Sequence, residues 1–131
     1  MTTDETQFND GNRQPALDEP DGVVSFSLGL HRCVGNEALY RRLLERFVTT
    51  RHTAPDDIRK LWLKGDLTES AMMAHSMIST AGTVGATALS EAARALQHAL
   101  KDEPVRVEEL LQSFGHEHAL ALASIRKHIG G

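Results

Sequence analysis

The sequence predicts an all-α protein, an antiparallel four-helix bundle with a short additional N-terminal helix and a disordered N-terminal tail. Three observations predict it. Aromatic residues make up only 5% of the chain and β-branched runs are few beside abundant Ala and Leu, which disfavours a sheet. Apolar residues recur three and four apart through most of the chain, the spacing of one helix face. Capping residues and glycines interrupt that pattern at Ser25, Gly35, Asn36, Gly65, Asp66 and Gly85, where helices would start and stop.

Residues 1–21 carry six carboxylates against one arginine, two prolines and little to bury, so they read as a disordered acidic tail ahead of a bundle over 22–131. Ser25 caps a short helix with Phe26, Leu30 and Cys33 turned inward, and Gly35 stops it before Asn36 caps the next. From there Leu39, Leu43, Phe47, Ala54, Ile58, Leu61 and Trp62 continue one stripe. Pro55 cannot bond the carbonyl of Arg51, so the segment kinks or divides there.

Asp66 and Glu69 have the spacing of a capping box and open the next helix, whose core stripe is Met73, Ala74, Met77, Ala81 and Val84. His75, Ile78, Ser79 and Gly82 share a second, outer face. Gly85 closes this helix in a left-handed conformation and Thr87 caps its successor, with stripe Leu89, Ala92, Ala93, Leu96 and Leu100. A hairpin bent at Ala86 sets position 75 level with position 97, since each lies eleven residues from the bend. A Gln97 carboxamide beside the His75 imidazole would bond one ring nitrogen and leave the other facing solvent, which is how a histidine nucleophile is prepared. Pro104 suits the first turn of a last helix that displays Val107, Leu110, Leu111, Phe114, Ala121, Leu122, Ile125 and Ile129.

Composition narrows the function. A chain of 131 residues has room for one domain and no nucleotide-binding kinase module. With 14 basic against 18 acidic residues and no basic cluster interleaved with aromatics, nucleic acid is not an expected partner. The single Cys33 excludes an internal disulfide and suits a reducing cytoplasm. No apolar run approaches the ~20 residues of a membrane helix, and no signal peptide is read at the N-terminus. The expected protein is soluble, cytoplasmic and monomeric.

Other histidines read as ordinary surface or core groups: His31, His52, His98 and His128 stand alone. His116-Glu117-His118 cannot converge on one ion, because adjacent and alternate helix positions point apart, so no metal site is expected. Met72, Met73 and Met77 are chiefly core filling, with Met72 near an exposed face.

The stretch His75-Ser-Met-Ile-Ser-Thr-Ala-Gly-Thr-Val-Gly-Ala resembles the His-x-Leu-Lys-[Gly/Ser]-x-Ala-x-x-x-Gly-Ala signature of histidine phosphotransfer (HPt) domains. The likeness extends upstream through Gly35-Asn36 and LYRRLLERF to Val24, and downstream to Leu96-Gln97, where the family commonly has Leu followed by Glu or Gln. One departure is Ile78, which stands where the family usually has lysine. The resemblance implies a phosphorelay intermediate that accepts a phosphoryl group on His75 from a receiver-domain aspartate and passes it to another receiver. In that reading Gln97 orients the imidazole, Met72, Ile78, Ser79 and Gly82 form the docking surface, and Arg94, level with Ile78, compensates for the missing lysine. Response-regulator receiver domains and a hybrid sensor kinase are the implied partners. Mg²⁺ belongs to the partner receiver and this chain binds no cofactor. The alternative is an HPt-like module that docks on receivers without carrying phosphate. An autokinase dimerisation hairpin fits less well, because those have His-Glu and a nearby proline where this chain has His75-Ser76.

Overall fold

The computed structural model describes residues 23–130, so the expected tail over 1–21 lies outside the described residues. These residues form six α-helices and one 3-10 turn, with no strand among them. The helices are α1 (Phe26–Arg32), α2 (Glu37–Thr50), α3 (Ala54–Leu63), α4 (Leu67–Val84), α5 (Thr87–Asp102) and α6 (Val107–Gly130), the last preceded by the 3-10 turn Pro104–Arg106. The predicted all-α architecture is the one observed. α2 and α3 in series act as one member of a four-membered ring with α4, α5 and α6: α3 packs on α4, α4 on α5, α5 on α6, and α6 back on both α2 and α3. Phe47, Phe114, Ile58, Met77, Leu96 and Ile125 are among the fully buried side chains at its centre.

Local chemistry sets the helix starts. Ser25 Oγ accepts from the Leu28 amide at 3.2 Å, Asn36 Oδ1 from Leu39 at 3.0 Å and Asp66 Oδ1 from Glu69 at 3.2 Å. Each satisfies a first-turn donor that would otherwise lack a partner, worth about 1 kcal/mol. Pro55 divides the chain rather than kinking it: α2 ends at Thr50, and Pro55 sits in the first turn of α3, where its missing N–H is harmless. Asp56 and Asp57 follow in that turn and complement the positive end of the helix.

Three expectations shift by about one residue. α2 buries Tyr40, Leu44 and Phe47, leaving Leu39 and Leu43 half-buried at the edge. The reason is Tyr40, whose hydroxyl reaches inward to donate to the Val84 carbonyl at 2.8 Å and whose ring lies over Gly29. That same ring makes Gly29, rather than Leu30, the buried residue in the middle of α1. α5 begins with Ala86, not Thr87, in the cap position and has no side-chain cap. Ala86 is fully buried, and its amide donates back to Ala81 O at 2.9 Å while that of Gly85 donates to Gly82 O at 3.1 Å. This closed turn drives the chain straight from α4 into α5.

α1 is pinned to that bend. The Ser25 amide donates to Gly85 O at 2.9 Å, and Phe26 stacks on His128 near the end of α6 with ring centroids 3.9 Å apart. No helix among the described residues is long and apolar enough to cross a membrane.

Candidate functional site

α4 and α5 meet through small side chains. Ala74 and Ala81 on α4 and Ala93 and Ala99 on α5 are fully buried, and such residues let two helices approach closely. His75, next to Ala74 but on the outer side of α4, is therefore exposed at mid-helix and still within reach of α5. The amide nitrogen of Gln97 lies 3.1 Å from His75 Nδ1, the pairing that equal distance from the bend requires.

This contact determines what the ring offers. A carboxamide serves either tautomer: its N–H donates to a bare Nδ1, or, turned over, its oxygen accepts from Nδ1–H. In the second arrangement Nε2 keeps a free lone pair facing solvent, the form a nucleophilic imidazole needs.

Two hollows lie along the α4–α5 seam, one at the imidazole and one nearer the bend. One, of about 610 Å³, is lined by His75 and Gln97 together with Leu67, Ala71, Met72, Leu100 and Lys101. Met72 is 59% exposed, so it presents its thioether to solvent rather than filling the core. The other hollow, of about 500 Å³, brings together Ile78, Ser79, Gly82 and Arg94, with Ser90 and Arg32. Ile78 is half-buried against the core, its carbonyl accepting from Ser90 Oγ at 2.7 Å, while Ser79 and Arg94 are exposed. Arg94 thus neighbours Ile78 as its level position requires, in the hollow that His75 does not line.

Sequence reasoning missed Arg32 and Lys101. Arg32 leaves α1 and donates through Nη1 to Gly82 O, a contact fifty residues apart in the chain that no local pattern announces. Lys101 was legible, because it follows Gln97 by four and so occupies the same face of α5. α4 itself contains no lysine or arginine, and among the described residues the cations lining these two hollows are Arg32 from α1 and Arg94 and Lys101 from α5.

The remaining histidines lie elsewhere. His118 is 3% exposed and bonds the carbonyl of Arg51, the cap of α2, at 2.7 Å, whereas His116 is exposed. Burial pushes the His118 imidazole below its usual range, against a smaller opposite effect of the Arg51 hydrogen bond.

No curated protein and no solved structure matches the chain. A family model described as "Hpt domain" matches residues 42–128, which run from α2 into α6 and include both His75 and Gln97. That match takes in well over half of the chain, and the chain belongs to the histidine phosphotransfer (Hpt) domain family, whose members serve phosphotransfer in two-component relays.

Proposed function

We propose that this chain is a phosphorelay intermediate: His75 takes a phosphoryl group from the aspartyl phosphate of one receiver domain and gives it to the aspartate of another. The observation that supports this most is the exposed mid-helix imidazole with Nδ1 engaged by Gln97. Nε2 attacks phosphorus with its lone pair, and the P–O bond to the aspartate breaks with its electrons leaving on the carboxylate. With the Gln97 amide turned over from the observed orientation, so that its oxygen faces Nδ1, the Nδ1 proton stays in that hydrogen bond. The reverse sequence, with a second carboxylate as nucleophile, discharges the phosphohistidine.

Little else is required of the acceptor, since phosphoryl transfer depends mostly on positioning and charge neutralisation. The Mg²⁺ of the reaction belongs to the receiver. Met72, Ile78, Ser79 and Gly82 form the docking surface, with Arg94 adding positive charge at its far edge. Gly82 fits that role, because a Cβ there would come no closer than 3.5 Å to Ser90 Oγ, an ordinary contact. Packing within this chain therefore does not demand a glycine, and the missing side chain leaves the helix surface low enough for a partner to lie on.

The test is incubation with a phosphorylated receiver, followed by detection of acid-labile label on the chain. Label that disappears in His75→Gln supports the relay. Receiver binding without label, in parent and variant alike, supports instead the phosphate-independent docking module, which Ile78 in place of lysine favours.

A further inference from the structure

We infer that Lys101 is the cation that faces the phosphoryl group on His75, taking over from α5 the charge that the family usually supplies from α4. This rests on His75 being the phospho-acceptor. Position 78, three residues after the histidine, is a half-buried isoleucine, and α4 offers no other cation. Lys101 is exposed and lines the same hollow as His75 and Gln97, whereas Arg94 and Arg32 line the neighbouring one.

Geometry on α5 favours Lys101. It stands one turn beyond Gln97, and helical side chains lean toward the N-terminus of their own helix, so its long stem is carried back toward the level of Gln97 and His75. Its ammonium is also uncommitted. The adjacent carboxylates are directed away, Asp102 to His98 Nδ1 at 3.5 Å and Glu103 to His98 Nε2 at 3.7 Å and Arg106 Nη1 at 3.4 Å. The Lys101 side chain makes no ion pair or hydrogen bond among the described residues. A free ammonium at the edge of an apolar-floored hollow is placed to meet an anion arriving at the imidazole.

The test uses the full chain and potassium phosphoramidate, a small anionic phosphodonor, so no protein partner enters. Phosphohistidine formation is followed by ³¹P NMR, with fold checked by circular dichroism. Lys101→Gln is expected to slow labelling of His75 about fivefold, the upper range for one exposed charge, and to flatten its dependence on salt. Lys101→Arg restores the rate, and so does Ile78→Lys in the Lys101→Gln background. Lys127→Gln, a lysine lining neither hollow, leaves the rate at the parent value. A parent chain that takes no label at His75 overturns both the acceptor reading and this assignment. A parent that labels while folded Lys101→Gln labels equally fast, with unchanged salt dependence, overturns the Lys101 assignment alone.

Discussion

Replacing Gly85 by alanine tests whether the bend between α4 and α5 is held by α1. Gly85 has φ +94°, and Gly65, which closes the turn after α3, has φ +85°. Alanine at either position pays the left-handed penalty, about 1 kcal/mol. The surroundings differ. A Cβ at Gly65 meets nothing within 4 Å. A Cβ at Gly85 runs into the Ser25 carbonyl oxygen, with the Ser25 carbon at 3.1 Å and the Gly29 nitrogen at 3.3 Å. These obstacles are backbone atoms, fixed by the bonds from Ser25 N to Gly85 O at 2.9 Å and from Gly29 N to Ser25 O at 3.0 Å. Relief requires α1 to lift off the bend, an overpacking cost of about 1–3 kcal/mol. Gly65→Ala should then lose about 1 kcal/mol and Gly85→Ala about 2–4 kcal/mol. Urea unfolding followed by circular dichroism reads both, with the slope expected to stay constant. Equal midpoint shifts in the two variants would refute the claim that α1 clamps the hairpin.

Two further outcomes follow from the same structure. Gln97→Leu removes the group that holds Nδ1 of His75 and should slow phosphotransfer roughly three- to tenfold, the rate equivalent of one hydrogen bond, with urea stability nearly unchanged. Gln97→Glu keeps an acceptor for Nδ1–H and should retain most of the rate; a Leu variant as fast as the parent sinks the orienting role. His118, held below its usual range by burial, remains neutral in the folded chain at pH values where the unfolded chain binds a proton. Stability is therefore fully present above about pH 6.5 and falls as pH drops below it, by at most about 1.4 kcal/mol per pH unit until the folded pKa is passed. His52, Arg126 and Asp56 also act on this ring, and the His118→Gln variant isolates its part. A parent and variant with the same fall in urea midpoint between pH 7.5 and pH 5 would contradict the assignment.

Much of this was legible in the sequence because it depends on local rules. Ser25, Asn36 and Asp66 cap helices as their side chains dictate, and Gly85 takes the left-handed conformation expected of it. The level pairing of His75 with Gln97 follows from the helix rise and a tight bend. What failed depends on contacts between distant segments. The buried face of α2 is rotated because Tyr40 bonds a carbonyl forty-four residues away, which outweighs the leucine periodicity. Ala86 replaces Thr87 as cap because burial of the bend decides where α5 starts. Counting from the bend sets Arg94 level with Ile78, which gives height along the seam but not which hollow a side chain borders, so Lys101 beside His75 goes unnoticed.

Pinning Ser25 to Gly85 and stacking Phe26 on His128 brings both ends of the described chain to one pole of the bundle. His75 stands ten residues before Gly85, about 15 Å along α4 from that pole. A receiver tethered upstream of α1 or downstream of α6 would thus start from a similar distance to the imidazole. A short flexible linker at either end would hold it there at a local concentration on the order of millimolar, so encounter would no longer depend on diffusion from bulk.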